Sequence, residues 1–268
     1  MISSRKIQWF AQTTLFVMAL LAMFQSSAFS AEPMELRILT YNVHHGQGND
    51  GKFDLERLAK IILKTKPDLV ALQELDQKTG RSHGVDQPAE FAKLLGMEYV
   101  FAENLVFDGG LYGVAAYSRF PVVAQKTYKL PQLDGPEPRG IAEITVELPN
   151  KQKVRFLSTH WCHQSAGDRL KSAKFTNNLL KNSSDEFVIV TGDFNAQPKS
   201  DPIAELKKKW RPTYTTELLT APSDNPRVSI DHVFANQGDT WKVKHIEVIQ
   251  EKVASDHCPL LVVLEIAN

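Results

Sequence analysis

The sequence predicts an α/β fold in which two similar sheets pack face to face with helices on their outer sides. Three observations carry this. Short apolar runs at 36–43, 68–75, 187–191 and 260–266 read as strands buried on both faces. Stretches with apolar residues at helical spacing lie between them, each bounded by a cap or a breaker. The strand-helix-strand pattern recurs on either side of residue 150, which divides the chain into two comparable halves.

Residues 36–43, LRILTYNV, form a central strand that ends in Asn42, His44 and His45. The glycine-rich loop over 46–51 fits neither a Walker loop nor a dinucleotide fingerprint. Asp54 is placed as a helix N-cap, with Leu55, Leu58, Ile61 and Ile62 at helical spacing and Lys66-Pro67 as the stop. Residues 68–75, DLVALQEL, are the next buried strand. Glu74 stands at its far end, where a charge calls for a salt bridge or a metal ion.

Arg81 sits in a polar loop before a helix over 87–95 that Gly96 ends. Strands over 99–103 and 113–118 flank residues 105–112, which read either as an ordinary hairpin loop or as a membrane-docking hairpin carrying Leu105, Val106 and Phe107. A strand over 122–130 leads through a proline-bearing loop, 131–138, to Arg139-Gly140. Ala142, Ile144, Val146 and Leu148 then alternate with Glu143, Thr145 and Glu147, which predicts a strand with one wet face. Its hairpin partner over 154–159 delivers His160 to a strand end.

A helix over 167–180 precedes residues 187–195, FVIVTGDFN. Gly192 marks a close approach of the backbone, and Asp193 and Asn195 point to one side if strand geometry persists past it. The plainer reading of those four residues is a turn after a buried strand. A short helix over 202–209 and strands over 228–235, 241–249 and 260–266 complete the chain. Asp231 lies within an apolar strand, so its carboxylate demands a partner.

The 268 residues are 43% hydrophobic, with 31 basic and 31 acidic side chains. A protein that grips long duplex DNA through many phosphates would be basic, so the balance favours a small or single-stranded phosphate ester. Lys207, Lys208, Lys209 and Arg211 form the main basic cluster and read as a solvated face. At the N-terminus, Arg5 and Lys6 precede an apolar stretch over 9–24 and small residues over 26–31. That is the form of a secretory signal peptide over 1–31, followed by one domain over 32–268, and it implies a secreted or periplasmic location. The alternative is a retained membrane anchor.

Asn42, Glu74, His160, Asp193, Asn195, Asp231, Asp256 and His257 all cap or interrupt apolar strands. Their convergence on one face would give carboxylates and amides for an oxygen-liking cation such as Mg²⁺ or Mn²⁺, with histidines for proton transfer. No close-spaced histidine or cysteine cluster of the kind zinc demands stands out, nor does a Gly-x-Ser-x-Gly nucleophile turn.

Taken in order, TYNVHHG, ALQELD, YSRFP, LSTHW, TGDFN, IDHVF and SDHCP resemble the endonuclease/exonuclease/phosphatase superfamily. RSHGVDQPAEFAKLLGM and EPRG resemble its secreted or periplasmic bacterial branch. The resemblance implies a four-layered α/β sandwich with two packed, mostly antiparallel mixed sheets flanked by helices. It implies a phosphoester hydrolase, more readily a phosphodiesterase, with Mg²⁺ or Mn²⁺ held by Glu74 and Asn42 and Asp256 in or beside the metal shell. His257 would act as general base or phosphate-polarising group, held by Asp231. Asp193 would orient or activate water, and Asn195 would stabilise the phosphorane oxygens. His160 would contact phosphate or protonate the leaving group. His44 stands where many nucleases of the superfamily carry an acidic residue, which implies either a weakened second metal position or a contact to substrate phosphate; Arg139 is a further candidate phosphate contact, with a surface salt bridge as its other reading.

The substrate could be nucleic acid, a lipid headgroup or a small phosphodiester. No stable protein partner is read from the sequence, and a monomer is expected. The competing function is a catalytically silent protein that binds a phosphorylated partner on the same scaffold. Cys162 and Cys258 flank two of the site histidines, which leaves either a disulfide or two separate buried thiols.

Overall fold

The computed structural model describes residues 33–133, 137–180, 187–238 and 240–267. The leader expected over 1–31 lies outside them. Among the described residues, the strands form two six-stranded sheets. The first contains β1 (Met34–Asn42), β2 (Leu69–Gln77), β3 (Glu98–Phe107), β4 (Gly110–Ser118), β11 (Trp241–Val248) and β12 (Leu260–Ile266), in the order β11-β12-β1-β2-β4-β3. The second contains β5 (Val122–Lys129), β6 (Gly140–Glu147), β7 (Lys153–His160), β8 (Phe187–Asp193), β9 (Trp210–Pro212) and β10 (Asp231–Asn236), in the order β5-β6-β7-β8-β10-β9.

Each sheet has one parallel pair, β1 with β2 and β7 with β8, among antiparallel neighbours. A parallel pair needs a crossover, and the helices α1 (Leu55–Lys64) and α3 (Ala166–Asn178) lie in the two crossovers. Asp54 caps α1 by accepting from the Arg57 amide at 2.9 Å, and Ser165 caps α3 by accepting from Asp168 at 3.1 Å. The helix α2 (Gln87–Leu95) ends at left-handed Gly96, as expected.

Strand alternation builds the layers. Leu36 and Ile38 of β1 and Leu69 and Ala71 of β2 meet Ile144, Phe156, Ile189 and Val233 of the second sheet in a core between the sheets. Leu39, Tyr41, Val70 and Leu72 face the other way, onto Leu58 and Ile62 of α1 and Phe91 of α2. Val188, Val190 and Phe234 likewise pack on Ala173 of α3 and on Ile203 and Leu206 of α4 (Asp201–Leu206). The order is helix, sheet, sheet, helix.

The structure differs from the sequence reading in several places. Residue 150 lies in the connection between β6 and β7 of one sheet; the chain changes sheets between β4 and β5 and returns at β11, because β12 must pair with β1. The predicted wet face of β6 is closed only at Glu143, which is buried and whose carboxylate accepts from Arg155 Nε and from the Tyr128 hydroxyl, each at 2.9 Å; Thr145 and Glu147 stay half-exposed. Residues 105–112 form a hairpin as read from the sequence, but β3 and β4 extend further than expected, up to the turn at left-handed Asp108 and Gly109. β9 was not foreseen, and β10 begins at Asp231.

Both cysteines are free and buried. Cys162 Sγ accepts from the Ser165 amide at 3.4 Å, whereas Cys258 Sγ lies 3.7 Å from the Glu251 carbonyl. Of the two readings left open by the sequence, the structure shows two separate buried thiols, each engaged by its own surroundings.

Candidate active site

Each strand that enters the site does so by continuing the alternation that built the core. On β1 the inward positions run Leu36, Ile38, Thr40, Asn42; on β7 Val154, Phe156, Ser158, His160; on β8 Phe187, Ile189, Thr191, Asp193. The character changes with height, from apolar to neutral polar to charged. The middle level is fully buried, and Gln73 joins the sheets through it, accepting from Thr40 Oγ1 at 3.3 Å and donating to Ser158 Oγ at 3.4 Å.

His160 and Asp193 are register partners across β7 and β8, and Asp231 is the partner of Asp193 across β8 and β10. Gly192 permits this pairing: a Cβ there would lie 1.9 Å from the Thr159 carbonyl oxygen.

Two site residues arrive by broken geometry instead. Register shifts between Leu72 and Leu75, and Glu74 takes a left-handed φ of 59° at that bulge, so its carboxylate reaches Asn42 rather than following the strand. Asn195 does not continue β8. Its φ is 47°, its amide N–H donates to Asp193 Oδ1 at 2.8 Å, and this turn returns the side chain to the site.

The amide of Asn42 ties the two sheets together: Nδ2 donates to Glu74 Oε1 at 3.0 Å and to Asp193 Oδ2 at 3.3 Å. Beside it, His257 Nδ1 donates to Asp231 Oδ2 at 2.8 Å, and its Nε2 lies 3.8 Å from Asp193 Oδ2. The Thr220 hydroxyl donates to the same Asp231 oxygen at 2.5 Å, while Asp231 Oδ1 is buried without a hydrogen-bond partner. Burial works against a charged His257, but the Asp231 carboxylate, with Asp193 and Asp256 adding to it, outweighs burial and pushes the pKa up to about 10. Burial, reinforced by Asp231, pushes Asp193 up to about 7.

Burial, and then the Arg139 guanidinium, hold the His160 pKa well below the ordinary value, which favours the uncharged ring. Arg139 NH1 lies 2.7 Å from His160 Nδ1 and Asn195 Nδ2 lies 3.0 Å from Nε2, so both ring nitrogens face donors, and Nε2 is also 3.4 Å from Asp193 Oδ2. Arg139 itself is only 4% exposed, which removes the surface-salt-bridge reading; its NH2 donates to Glu137 at 2.9 Å and to His163 at 3.1 Å.

These groups open into a cleft of about 440 Å³ lined by Glu74, Arg139, His160, Asp193, Asn195 and His257, and also by Arg81, Leu105, Phe107, Tyr112, Glu137 and His163. A family model for the endonuclease/exonuclease/phosphatase family matches residues 39–257. The chain belongs to the endonuclease/exonuclease/phosphatase family. The uncharacterized protein YbhP of Escherichia coli K12 is 23% identical over 243 residues, covering 85% of this chain and 96% of YbhP. Two solved structures from Bacteroides thetaiotaomicron share the fold. One, an endonuclease/exonuclease/phosphatase family protein, has a TM-score of 0.73 at 18% identity and covers 87% of this chain and 98% of its own. The other, a mannosyl-6-phosphatase, has a TM-score of 0.71 at 18% identity and covers 85% and 99%.

Members of the endonuclease/exonuclease/phosphatase family are metal-dependent phosphoester hydrolases. The donors here suit a hard divalent ion: two carboxylates, Glu74 and Asp193, are held by one amide, and the buried Asp193, Asp231 and His257 each place a ligand atom within 4.8 Å of the others. Of the residues singled out in the sequence, the structure brings Asn42, Glu74, His160, Asp193, Asn195, Asp231, His257 and Arg139 together. It does not bring Asp256 into the buried group; that half-buried carboxylate accepts from Ser255 Oγ at 3.4 Å. His44 lies outside the residues lining the cleft.

The sequence reading missed Tyr112, Glu137 and His163. It left Arg81 unassigned, although that guanidinium forks onto buried Asp76 at 2.6 and 2.8 Å and lies 4.5 Å over the Phe107 ring. Apolar residues in a hairpin beside a charged loop were the available signal.

Proposed function

We propose that this chain is a divalent-metal-dependent phosphodiesterase, exported behind the leader at 1–31 and acting as a monomer on nucleic acid, a lipid headgroup or a small diester. The observation that carries the reading is the Asn42 amide joining Glu74 and Asp193 across two sheets, beside the His257–Asp231 pair. Glu74, Asn42 and Asp193 would hold Mg²⁺ or Mn²⁺, which neutralises phosphoryl charge when bound.

The remaining work falls to the chain's own groups. Asp193, held by the Asn42 amide and the Asn195 main-chain N–H, orients the attacking water. His257, cationic at neutral pH, polarises the phosphate, and Asp231 holds its ring in one orientation. His160, its pKa held low by burial and Arg139, contacts the phosphate rather than protonating the leaving group, and the Asn195 amide beside it donates to oxygens on which charge builds. Leu105, Phe107 and Tyr112 in the same cleft give the second ester substituent a surface to pack on. The likeness to a mannosyl-6-phosphatase supports a monoester as the second reading.

The test is hydrolysis of bis-(p-nitrophenyl) phosphate and of p-nitrophenyl phosphate, with Mg²⁺ or Mn²⁺ and after chelation. Metal-dependent diester turnover is expected, reduced at least about 100-fold in Glu74→Ala and His257→Ala. Preference for the monoester would select the phosphatase reading. Silence on these esters, and on DNA and sphingomyelin, would select the phosphate-binding protein.

A further inference from the structure

His44 and His45 follow Asn42 directly and are not used by the mechanism above. We propose that His44, His45 and Glu74 form a second divalent-cation site, selective for borderline metals such as Zn²⁺ or Co²⁺ over Mg²⁺.

The three residues each place one ligand atom within 4.8 Å of the others. Both rings are already held in the tautomer a ligand needs. His44 Nδ1 lies 3.0 Å from the Gln47 main-chain carbonyl, which can only accept, so that nitrogen carries the proton and Nε2 keeps its lone pair. His45 Nε2 lies 3.3 Å from the side-chain Oε1 of the same Gln47, so its lone pair is on Nδ1. That Nδ1 is buried with no hydrogen-bond partner. A single residue therefore orients two imidazoles, as outer partners orient metal-ligating histidines, and one of the two lone pairs faces no donor.

Adjacent residues ordinarily point apart. Here successive left-handed conformations, φ 44° at His44 and 43° at His45, bring the rings to a 4.4 Å edge-on contact. The turn is fixed from both sides, by the His44 amide donating to Asn42 Oδ1 at 3.1 Å and by Gln87 Nε2 donating to the His45 carbonyl at 2.7 Å. Glu74 enters from its own left-handed bulge.

Two imidazoles and one carboxylate are the donor set of an open zinc site, whereas the oxygens of Asn42 and Asp193 suit Mg²⁺. The zinc-type cluster not seen in the sequence is thus assembled by backbone conformation. Glu74 belongs to both donor sets. The inference concerns metal binding and holds whether or not the protein hydrolyses phosphodiesters.

The experiment titrates chelator-stripped full-length protein, in a large excess of Mg²⁺, with Co²⁺ followed by visible absorption and with Zn²⁺ followed by calorimetry. One equivalent is expected to bind with micromolar or tighter affinity, and Co²⁺ should shift two exchangeable imidazole N–H proton signals. The double variant His44→Gln/His45→Gln should lose that equivalent, and Gln47→Ala should weaken it by about 10- to 100-fold. Absence of the equivalent from the wild type, or its retention in the double variant, overturns the proposal. Should the double variant fail to fold, the proton signals of the wild type and the Gln47→Ala titration decide instead.

Discussion

At the residue scale, burial decides which histidine carries charge. His232 is fully buried under Tyr214 and Phe194, and its Nε2 donates to the Ala196 carbonyl at 2.8 Å. Burial lowers its pKa from 6.5 to about 4. A depressed pKa means that the unfolded chain takes up a proton before the folded one does. The stabilisation from neutral His232 is therefore complete above pH 6.5 and is lost as pH falls through about 4. Replacing it with Gln should flatten the acid-side decline of the urea midpoint across that window, and an unchanged decline would show that His232 is not its source. His257, buried beside Asp231, has the opposite bias. Asp231→Asn removes the charge that keeps its ring protonated and oriented, so kcat for diester hydrolysis should fall by about 100-fold or more with KM little changed. Equal losses in kcat and KM would instead mark Asp231 as structural.

At the scale of single elements, the strand ends were legible and the departures from strand geometry were not. Asn42, His160 and Asp193 occupy the next inward position on strands whose period is plain in the sequence, so their convergence follows from alternation alone. Glu74 and Asn195 reach the site through left-handed residues, which no run of apolar residues announces. Arg139 has neither signal, since its guanidinium reaches His160 from outside the strand pattern, following a loop. Gly192 was legible as a close approach, though not what it approaches. Gly192→Ala should destabilise the protein by more than about 3 kcal/mol by urea denaturation, because the Cβ collides with the backbone of β7 rather than with a movable side chain. Asp54→Ala is the contrasting case: losing the cap of α1 should cost about 1 kcal/mol and leave kcat unchanged.

At the scale of the whole molecule, the site belongs to neither sheet. Asn42, Glu74 and His257 come with the first, and His160, Asp193 and Asp231 with the second. A cation bound between them, as proposed above, would hold the sheets together, so Mn²⁺ at about 100 times its Kd should add about 2.7 kcal/mol of stability to the wild type. Melting curves should show that gain reduced in Glu74→Ala; an equal gain there would place the cation elsewhere. The division into halves at residue 150 failed for a related reason. Local patterns reveal strands and crossovers, but nothing local tells β12 to pair with β1, more than two hundred residues earlier in the chain.

That pairing governs when the site can first be complete. β1 takes β2 on one side early in synthesis, yet its other edge waits for β12, and His257 lies just ahead of that last strand. A ribosome-bound chain that has made every other site residue still lacks the imidazole and the strand that seats it. The paired imidazole is therefore withheld from a growing chain until β12 has been made and can dock, a latency written into strand order.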